Sequence, residues 1–321
     1  MALYTLEPER ATLHGQFSRD LAPVLTVASG DVVRCRTLDV SWGLEARHAD
    51  GSPRKTFEPR ELPRDDGPCL LGPIAIQGAR LGHVLEIHLE AIVPGSYGWT
   101  FGGEIGFFNT ALNQALGVVD GPPELVRWAL DRITMTGVSH HHHQVRLRPF
   151  LGTLGLCPAG DGWLPAWPPR RTAGNIDCKE LVAGTVLYVP VEVEGALVSL
   201  GDGHAAQGDG ESSGTAIECP MEQVDLRFVL RDDLQLDAVR ADTPNGWITF
   251  GFSEQLDEAV AVTLNDMLAL VMSRFEVERK DALVLVSVAA DVRITQLVNG
   301  VRGVHVMLPH GAISAGSSAS C

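Results

Sequence analysis

The stretch GTVLYVPV, residues 184–191, sets the pattern for much of this chain. A glycine opens it, and the valine, leucine and tyrosine that follow fit the pleated, half-buried surface of a β-strand. Two other stretches repeat the pattern, GDVVRCRT at 30–37 and GHVLEIHL at 82–89. Each of the three predicts a strand that is entered through a tight glycine turn. Further strands are predicted at 197–200, 216–228 and 247–250.

The pattern changes after residue 252, where helical spacing replaces strand spacing. Ser253 is a residue type that caps helix N-termini, and we expect it to cap the first of two helices. Apolar residues then recur at steps of three and four, as on the buried face of a helix: Leu256, Val260, Leu264, Met267, Leu268, Val271 and Phe275. A second helix is predicted over 279–289 and a strand over 292–296. We expect these helices to pack on one face of a sheet.

These patterns together predict a β-rich α+β protein, with a β-sandwich-like N-terminal portion and a C-terminal α+β portion. Residues 1–230 would form the β-rich portion and carry the polar loops described below, and residues 231–321 would pack on it. Two segments, 40–72 and 94–144, are predicted to be long loops that cover a site or mediate assembly, and we expect a homo-oligomer. The tail after His310 is predicted to be frayed.

Composition and charge exclude several classes of function. The formal net charge of -15 repels a phosphate backbone, so nucleic acid is not expected as a partner. No apolar run approaches the roughly 18 residues of a membrane span, and the N-terminal residues MALYTLEPER lack the features of a signal peptide. The six cysteines are scattered without a Cys-x-x-Cys pair, which indicates neither a disulfide framework nor a zinc ribbon. We therefore expect a cytoplasmic protein.

The richest chemistry lies in LVSLGDGHAAQGDGESSGTAIEC, residues 197–219. We predict a strand to Leu200, then a glycine-rich loop, and then a second strand that carries Glu218. The loop holds five polar side chains: Asp202, His204, Gln207, Asp209 and Glu211. Carboxylates beside an imidazole are the ligands that a catalytic zinc or a similar divalent ion takes. The alternative is an ordinary solvated turn, because Asp-Gly and Gly-Asp pairs are common in hairpins.

A second polar cluster lies upstream in PPRRTAGNIDCKELVAG, residues 168–184. Asn175 could donate its amide to an oxyanion and Asp177 could ligate a metal. The alternative is that Asn175 makes a local turn and Lys179 balances charge. The functional interpretation requires this loop to meet the loop of Asp202 and His204 in space.

Several segments resemble the acetamidase/formamidase family. They are LRPFLGTLG at 147–155, PPRR at 168–171, GNID at 174–177, GDGHAAQGDGE at 201–211 and GTAIE at 214–218. The similarity extends from Gly30 to Pro309, and so covers nearly the whole chain. One departure is PCLL at 68–71, where a histidine and a threonine are expected before Gly72, and this puts the substrate identity in question.

The resemblance implies a predominantly β protein that hydrolyses formamide, acetamide or a related small amide or lactam. It also implies a divalent metal, with zinc as the first choice and calcium as the alternative. The resemblance points to four residues as metal-site or catalytic positions: Asp177, Asp202, His204 and Glu218. It places four others nearby: Asp39, Asn175, Asp209 and Glu211.

Our hypothesis is a metal-dependent amidase. Asp177, Asp202 and His204 hold the metal, which polarises the amide carbonyl. Glu218 takes a proton from water and returns it to the departing ammonia, while Asn175 steadies the oxyanion.

Two alternatives stay open at this point. Cys178, beside Lys179 and Glu180, could be the nucleophile of a cysteine amidase, whereas Cys219 fits a small core residue. The chain could also be a non-catalytic β-sandwich that binds a metal or another ligand. The run His140–His143 is predicted to be a solvated loop.

Overall fold

The computed structural model describes residues 1–104 and 110–314, which contain 21 strands and three helices. The predicted frayed tail lies outside the described residues from position 315 onward. In chain order the strands are β1 (Leu3–Leu6), β2 (Leu13–His14), β3 (Gln16–Phe17), β4 (Leu25–Val27), β5 (Val32–Cys35), β6 (Leu70–Ile76), β7 (Val84–Pro94), β8 (Tyr97–Gly102), β9 (Glu124–Asp131), β10 (Thr136–Ser139), β11 (Gln144–Arg146), β12 (Phe150–Leu156), β13 (Leu164–Pro165), β14 (Ala173–Asn175), β15 (Val186–Pro190), β16 (Val198–His204), β17 (Met221–Arg231), β18 (Arg240–Thr243), β19 (Gly246–Ser253), β20 (Asp291–Gln296) and β21 (Arg302–Pro309). The helices are α1 (Thr110–Leu116), α2 (Leu256–Phe275) and α3 (Arg279–Ala289).

The largest sheet has nine strands in the order β1-β5-β17-β7-β15-β18-β19-β21-β20. Its neighbours run antiparallel, except for the parallel pair β1 and β5. The three glycine-led segments form β5, β7 and β15 of this sheet, as predicted. The glycines before them, at positions 30, 82 and 184, have φ values of 93°, 89° and 91°. Such left-handed backbone is easy only for glycine, which explains why each strand opens on one.

A second sheet of six strands positions the polar clusters. Its order is β14-β12-β16-β6-β2, and β4 pairs with β6. Side chains of both sheets share one core, including Ile87 and Phe228 from the larger sheet and Leu71, Val198 and Leu200 from the smaller. The prediction of a β-rich α+β protein is confirmed.

The C-terminal helices cover one end of the nine-stranded sheet. Met267 and Val271 of α2 and Ala282 of α3 form a separate apolar cluster with Val306 of β21. Both helices and β20 lie where the sequence predicted them. Within residues 1–104 and 110–314, no helix is both long enough and apolar enough to span a bilayer.

The predicted helix cap at Ser253 is wrong. Ser253 is the last residue of β19, and α2 begins three residues later. Its hydroxyl donates to Glu258 Oε2 at 2.7 Å and accepts from the backbone N–H of Gln255 at 3.2 Å. The strand continues to this serine because it pairs with Arg302 of β21.

The boundary predicted at residue 230 stays a prediction. Strand β15 from the first portion pairs with β18 from the second, so the nine-stranded sheet continues across it.

The long loop predicted over 94–144 is wrong. The other predicted loop, 40–72, has no strand over 40–69 and only an isolated bridge there, between Gly43 and Thr56. Segment 94–144 contains α1 and most of a four-stranded sheet with the order β11-β10-β9-β8. Strands β8, β9 and β10 lie within the segment, and β11 begins at its last residue. Gly98 lies within β8. A Cβ there would come 2.6 Å from Ile217 Cγ2 and 2.9 Å from the Glu218 carbonyl oxygen, so this glycine permits close packing.

The start of the glycine-rich loop predicted after Leu200 is also wrong, because the loop begins after His204. Strand β16 continues to His204 and pairs with β12 as far as Phe150. A Cβ at Gly203 would lie 2.6 Å from the carbonyl oxygen of Cys219. The glycine therefore allows a close approach of the neighbouring chain. Asp202 and His204 stand on the strand, whereas Gln207, Asp209 and Glu211 lie in the loop that follows it.

We predict that Gly203→Ala lowers the free energy of unfolding by about 1–3 kcal/mol, because the added methyl overpacks the core. The matched control is Gly208→Ala, where a Cβ meets no atom within 4 Å and the expected change stays within about 0.5 kcal/mol. Guanidinium unfolding of both variants measures the difference. Equal stability of the two variants contradicts this account of β16.

Candidate active site

The predicted site residues come from three places in the fold. Asp202 and His204 end β16, Asn175 ends β14 with Asp177 two residues beyond, and Glu218 faces His204 across an isolated bridge. Strand β12 lies between β14 and β16 and so joins the two polar segments. The structure therefore brings together the two clusters that the functional interpretation required.

His204 stands at the centre of the site. Its Nε2 lies 3.2 Å from Asp202 Oδ1 and 3.3 Å from Glu218 Oε2. Its Nδ1 lies 2.9 Å from Gln207 Oε1 and 3.9 Å from Asp177 Oδ1. Glu211 also approaches the ring from the side of Asp177. One imidazole thus faces four buried carboxylates, none more than 6% exposed.

Gly152 of β12 makes room for this convergence. A Cβ at this position would lie 2.6 Å from Asp177 Oδ1, 2.6 Å from Asp202 Oδ2 and 2.7 Å from His204 Cε1. Any larger residue would push the carboxylates and the imidazole apart.

The backbone at the cluster is strained. Asp177, Asp202 and Glu211 have φ values of 55°, 55° and 44°. Left-handed backbone is uncommon for residues other than glycine, and it persists where the surroundings over-determine it. The fold holds three of the four acids in this conformation, which is typical of functional sites.

Three further polar side chains hold the cluster in place: Gln207, which the sequence placed in the polar loop, and Asn299 and Thr153, which the sequence did not single out. Asn299 donates its amide to Asp177 Oδ2, and Gln207 Nε2 donates to the backbone carbonyl of Asp177 at 2.8 Å. The Thr153 hydroxyl donates to Asn175 Oδ1 at 2.5 Å and lies 3.2 Å from Asp202 Oδ2. Asn299 is 122 residues from Asp177 in the chain, so no local pattern links the two.

The cluster has an excess of buried negative charge, which a cation would compensate. Asp177 Oδ1, Glu211 Oε2 and Glu218 Oε2 are buried, and no hydrogen bond to a described residue satisfies them. Burial raises the pKa of Glu218 to about 7 and raises the pKa values of Asp177 and Glu211 well above their usual range. Burying several carboxylates together is costly unless positive charge compensates them.

His204 supplies part of that charge. Burial by itself lowers the pKa of an imidazole, but the carboxylates of Glu218 and Asp202 reverse the effect and raise the pKa of His204 well above 6.5. A single imidazolium still leaves the acids in excess.

The donor set fits a divalent cation. Asp202, His204 and Glu218 offer ligand atoms within 4.8 Å of one another, and so do Asp177, His204 and Glu211. The two groups share His204, and the predicted ligands Asp177 and Asp202 fall in different groups, so the set of ligands stays a prediction.

The cluster opens on a cavity of about 430 Å³. Polar residues of the site form part of its wall: Asn175, Asp202, Glu211, Glu218 and Asn299. Apolar residues form much of the remainder: Val40, Trp99, Phe101, Pro123, Trp167 and Val298. The carboxylates are therefore within reach of a small molecule that enters the cavity.

Two predicted supporting residues lie outside the cluster. Asp39 is fully buried, but its carboxylate is paired with Arg54 and accepts a hydrogen bond from Trp99 Nε1 at 3.0 Å. Asp209 is partly exposed and pairs with Lys179. Each carboxylate already has a cationic partner, so neither is placed to hold a metal with His204.

Cys178 does not have the properties of a nucleophile. It is fully buried and does not line the cavity, and burial raises its pKa to about 12. Because the thiolate is the reactive form, this environment keeps the sulfur inert. Cys219 is likewise a buried core residue.

Two other sequence features lie apart from the cavity. His140–His143 form the exposed turn between β10 and β11, as predicted. Residues 68–71 are buried at the start of β6, and none of them lines the cavity. The departure at PCLL is therefore not part of the cavity wall.

We predict that zinc stabilises the protein through this cluster, by about 2.7 kcal/mol at a concentration 100-fold above its dissociation constant. Gly152→Ala should remove most of that gain, because its methyl group displaces Asp177 and Asp202. Unfolding in guanidinium with and without zinc measures the gain, and Gly208→Ala is the control. Equal stabilisation of the Gly152 variant and the unmodified chain contradicts the assignment.

The chain is similar in sequence and in fold to known proteins. Residues 164–245 match a model of the Acetamidase/Formamidase family. An acetamidase of Mycolicibacterium smegmatis is 43% identical over 67 residues, which are 19% of this chain and 16% of that protein. A formamidase of Methylophilus methylotrophus is 23% identical over 249 residues, which are 62% of this chain and 59% of that protein. The chain thus spans less than two thirds of the length of either curated relative.

A solved structure extends the similarity to the whole fold. The crystal structure of an acetamidase from Bacillus halodurans superposes with a TM-score of 0.80 at 26% identity, covering 95% of this chain and 97% of that chain. The resemblance inferred from the sequence is confirmed. Residues 164–245 therefore resemble the acetamidase/formamidase family, and the chain shares the fold of a solved acetamidase.

Proposed function

We propose that this chain is an amidase that uses a divalent cation to hydrolyse a carboxamide to a carboxylate and ammonia. The observation that carries the proposal is the group of buried, unsatisfied carboxylate oxygens around His204, which opens on a cavity. A structural ion usually has a closed shell of protein ligands, whereas a catalytic one keeps an open position. Because the carboxylate cluster opens on a cavity, an enzyme is favoured over a non-catalytic metal-binding protein.

The relatives support the same reaction class. The similar proteins are named acetamidase and formamidase, and both names describe hydrolysis of a small amide. A small-molecule amide is the partner that we propose for this chain. Homo-oligomeric assembly and a cytoplasmic location stay predictions from the sequence.

Asp177, Asp202 and His204 are the residues that we propose to hold the cation. Gln207 Oε1 lies 2.9 Å from His204 Nδ1 and fixes the ring orientation. The deprotonated Nε2, which faces Asp202 and Glu218, is the ligand atom, while Asp177 lies 3.9 Å from the Nδ1 edge of the ring. Glu211 is available as a further ligand on the side of Asp177. A bound divalent ion supplies Lewis-acid polarisation of the carbonyl and acidifies water. Mixed imidazole and carboxylate ligands suit zinc, while calcium, which takes six to eight oxygens, is the alternative.

Glu218 is the proposed general base and acid. Its Oε1 accepts a hydrogen bond from the Ala216 N–H at 2.8 Å, and its Oε2 is the oxygen left unsatisfied near His204. A carboxylate with its pKa raised to about 7 can take a proton from water and return it to the departing nitrogen near neutral pH. The position of Glu218 on the cavity wall gives it access to both.

Asn175 is the proposed oxyanion donor. Because its Oδ1 accepts the Thr153 hydroxyl, the orientation of the amide is fixed and its NH₂ group is the part that can donate to substrate. A donor fixed before the reaction stabilises the developing oxyanion without reorganisation.

We predict that dialysis against a chelator abolishes ammonia release from amides and that zinc restores it, because the carbonyl loses its polarising ion. The assay measures ammonia across a panel that includes formamide and acetamide, and metal content is determined on the same samples. Full activity in a metal-free preparation contradicts the proposal.

We predict that Glu218→Gln lowers kcat by about 10²–10⁴-fold, the usual contribution of a general acid or base. The variant should retain its metal, whereas His204→Ala should lose metal and activity together. Glu222→Gln is a control, because this glutamate is exposed and lies outside the cavity. Loss of metal from Glu218→Gln would show that Glu218 is a ligand and not the base.

A further inference from the structure

The cavity is much larger than formamide or acetamide requires. A water molecule takes about 30 Å³ in the liquid, so about 430 Å³ corresponds to roughly fourteen waters. This volume falls in the range of roughly 300–1,000 Å³ that is typical of sites for drug-sized ligands. A substrate matched to this space carries a sizeable group besides its amide.

Much of the cavity wall besides the carboxylates is apolar and aromatic. The rings of Trp99 and Phe101 meet edge to face with centroids 5.3 Å apart. Val298 lies in the same wall, on the segment that also supplies Asn299. Aromatic and aliphatic surfaces of this kind gain free energy by removing an apolar group from water.

This aromatic wall is fixed in place before any ligand arrives. Trp99 Nε1 donates to Asp39 Oδ2 at 3.0 Å, and the Arg47 guanidinium stacks on the indole at 4.2 Å from the ring centroid. Backbone hydrogen bonds of 2.8 and 3.0 Å join Trp99 to Glu218. The apolar wall and the proposed base are therefore held in fixed positions relative to each other, which lowers the entropy cost of binding a ligand.

The carboxylates in the cavity wall suit an unsubstituted amide. Asp202, Glu211 and Glu218 all line the cavity, and carboxylates accept N–H donors. A primary amide presents two such donors, so the –CONH₂ group faces the acids and its acyl group faces the aromatic wall.

We propose that the substrate is a primary amide with a bulky apolar acyl group, of the arylacetamide class. This inference rests on the proposed amidase function. Water adds to the carbonyl carbon, the C–N bond breaks, and R–CO–NH₂ plus water becomes R–COO⁻ and NH₄⁺. Burial of the acyl group supplies remote binding energy that helps to orient the amide.

The test compares phenylacetamide with acetamide and formamide on the zinc-loaded protein, with kcat/KM from ammonia release. Each methylene-sized group in an apolar pocket contributes roughly 10–200-fold, so phenylacetamide should exceed acetamide by about 100-fold or more. A kcat/KM for acetamide that equals or exceeds that for phenylacetamide overturns this inference and leaves the amidase function standing. Absence of ammonia from every amide overturns both.

Phe101→Trp tests the wall itself, because the larger ring reduces the space for the acyl group. The ratio of kcat/KM for phenylacetamide over acetamide should fall about tenfold or more. Phe252→Trp is the matched control, since Phe252 is also a partly buried strand residue but does not line the cavity. An unchanged ratio in Phe101→Trp overturns the assignment of this wall to the acyl group.

Discussion

Four buried carboxylates around one imidazole form the constraint on which the rest of the site depends. Isolated charges are expensive to bury, so this arrangement is stable only with compensating positive charge and hydrogen bonds. The fold provides some of both, through the raised pKa of His204 and through the amide of Asn299. Some oxygens stay unsatisfied, among them Asp177 Oδ1 and Glu218 Oε2. These oxygens are the reason for proposing that the site binds a divalent cation.

The C-terminal portion of the chain completes this site. Asn299 follows β20 and reaches back to Asp177, while the backbone of Gly210 bonds to Thr295 at 2.9 Å and to Leu297 at 3.1 Å. Nearby, the buried Glu180 pairs with Arg148 and, at 3.4 Å, with Arg293 of β20. These contacts tie the loops that carry Asp177 and Glu211 to the edge of the nine-stranded sheet. A chain that lacked the last strands would lose the contacts that hold the carboxylate cluster in place.

The irregular segment 40–69 has a related role on the other side of the cavity. It contains no strand, yet Asp39 just before it and Arg47 within it hold the indole of Trp99 from two directions. The long connection thus supports the cavity wall, in keeping with the expectation that segments of this length cover a site. The carboxylate of Asp39, which the sequence placed near the metal site, accepts a hydrogen bond from the cavity wall.

The sequence by itself determined the local elements: glycine-led strands such as β15, the helical spacing of α2, and the two polar segments around Asp177 and His204. These follow from side-chain periodicity and backbone preference, which act over a few residues. Only the tertiary structure decided that Gly203 lies in a strand, that Asp39 and Asp209 pair with Arg54 and Lys179, and that Gly152 and Asn299 shape the cluster. Such features depend on which distant atoms come within a few ångströms, and the spacing of residues along the chain does not contain that information.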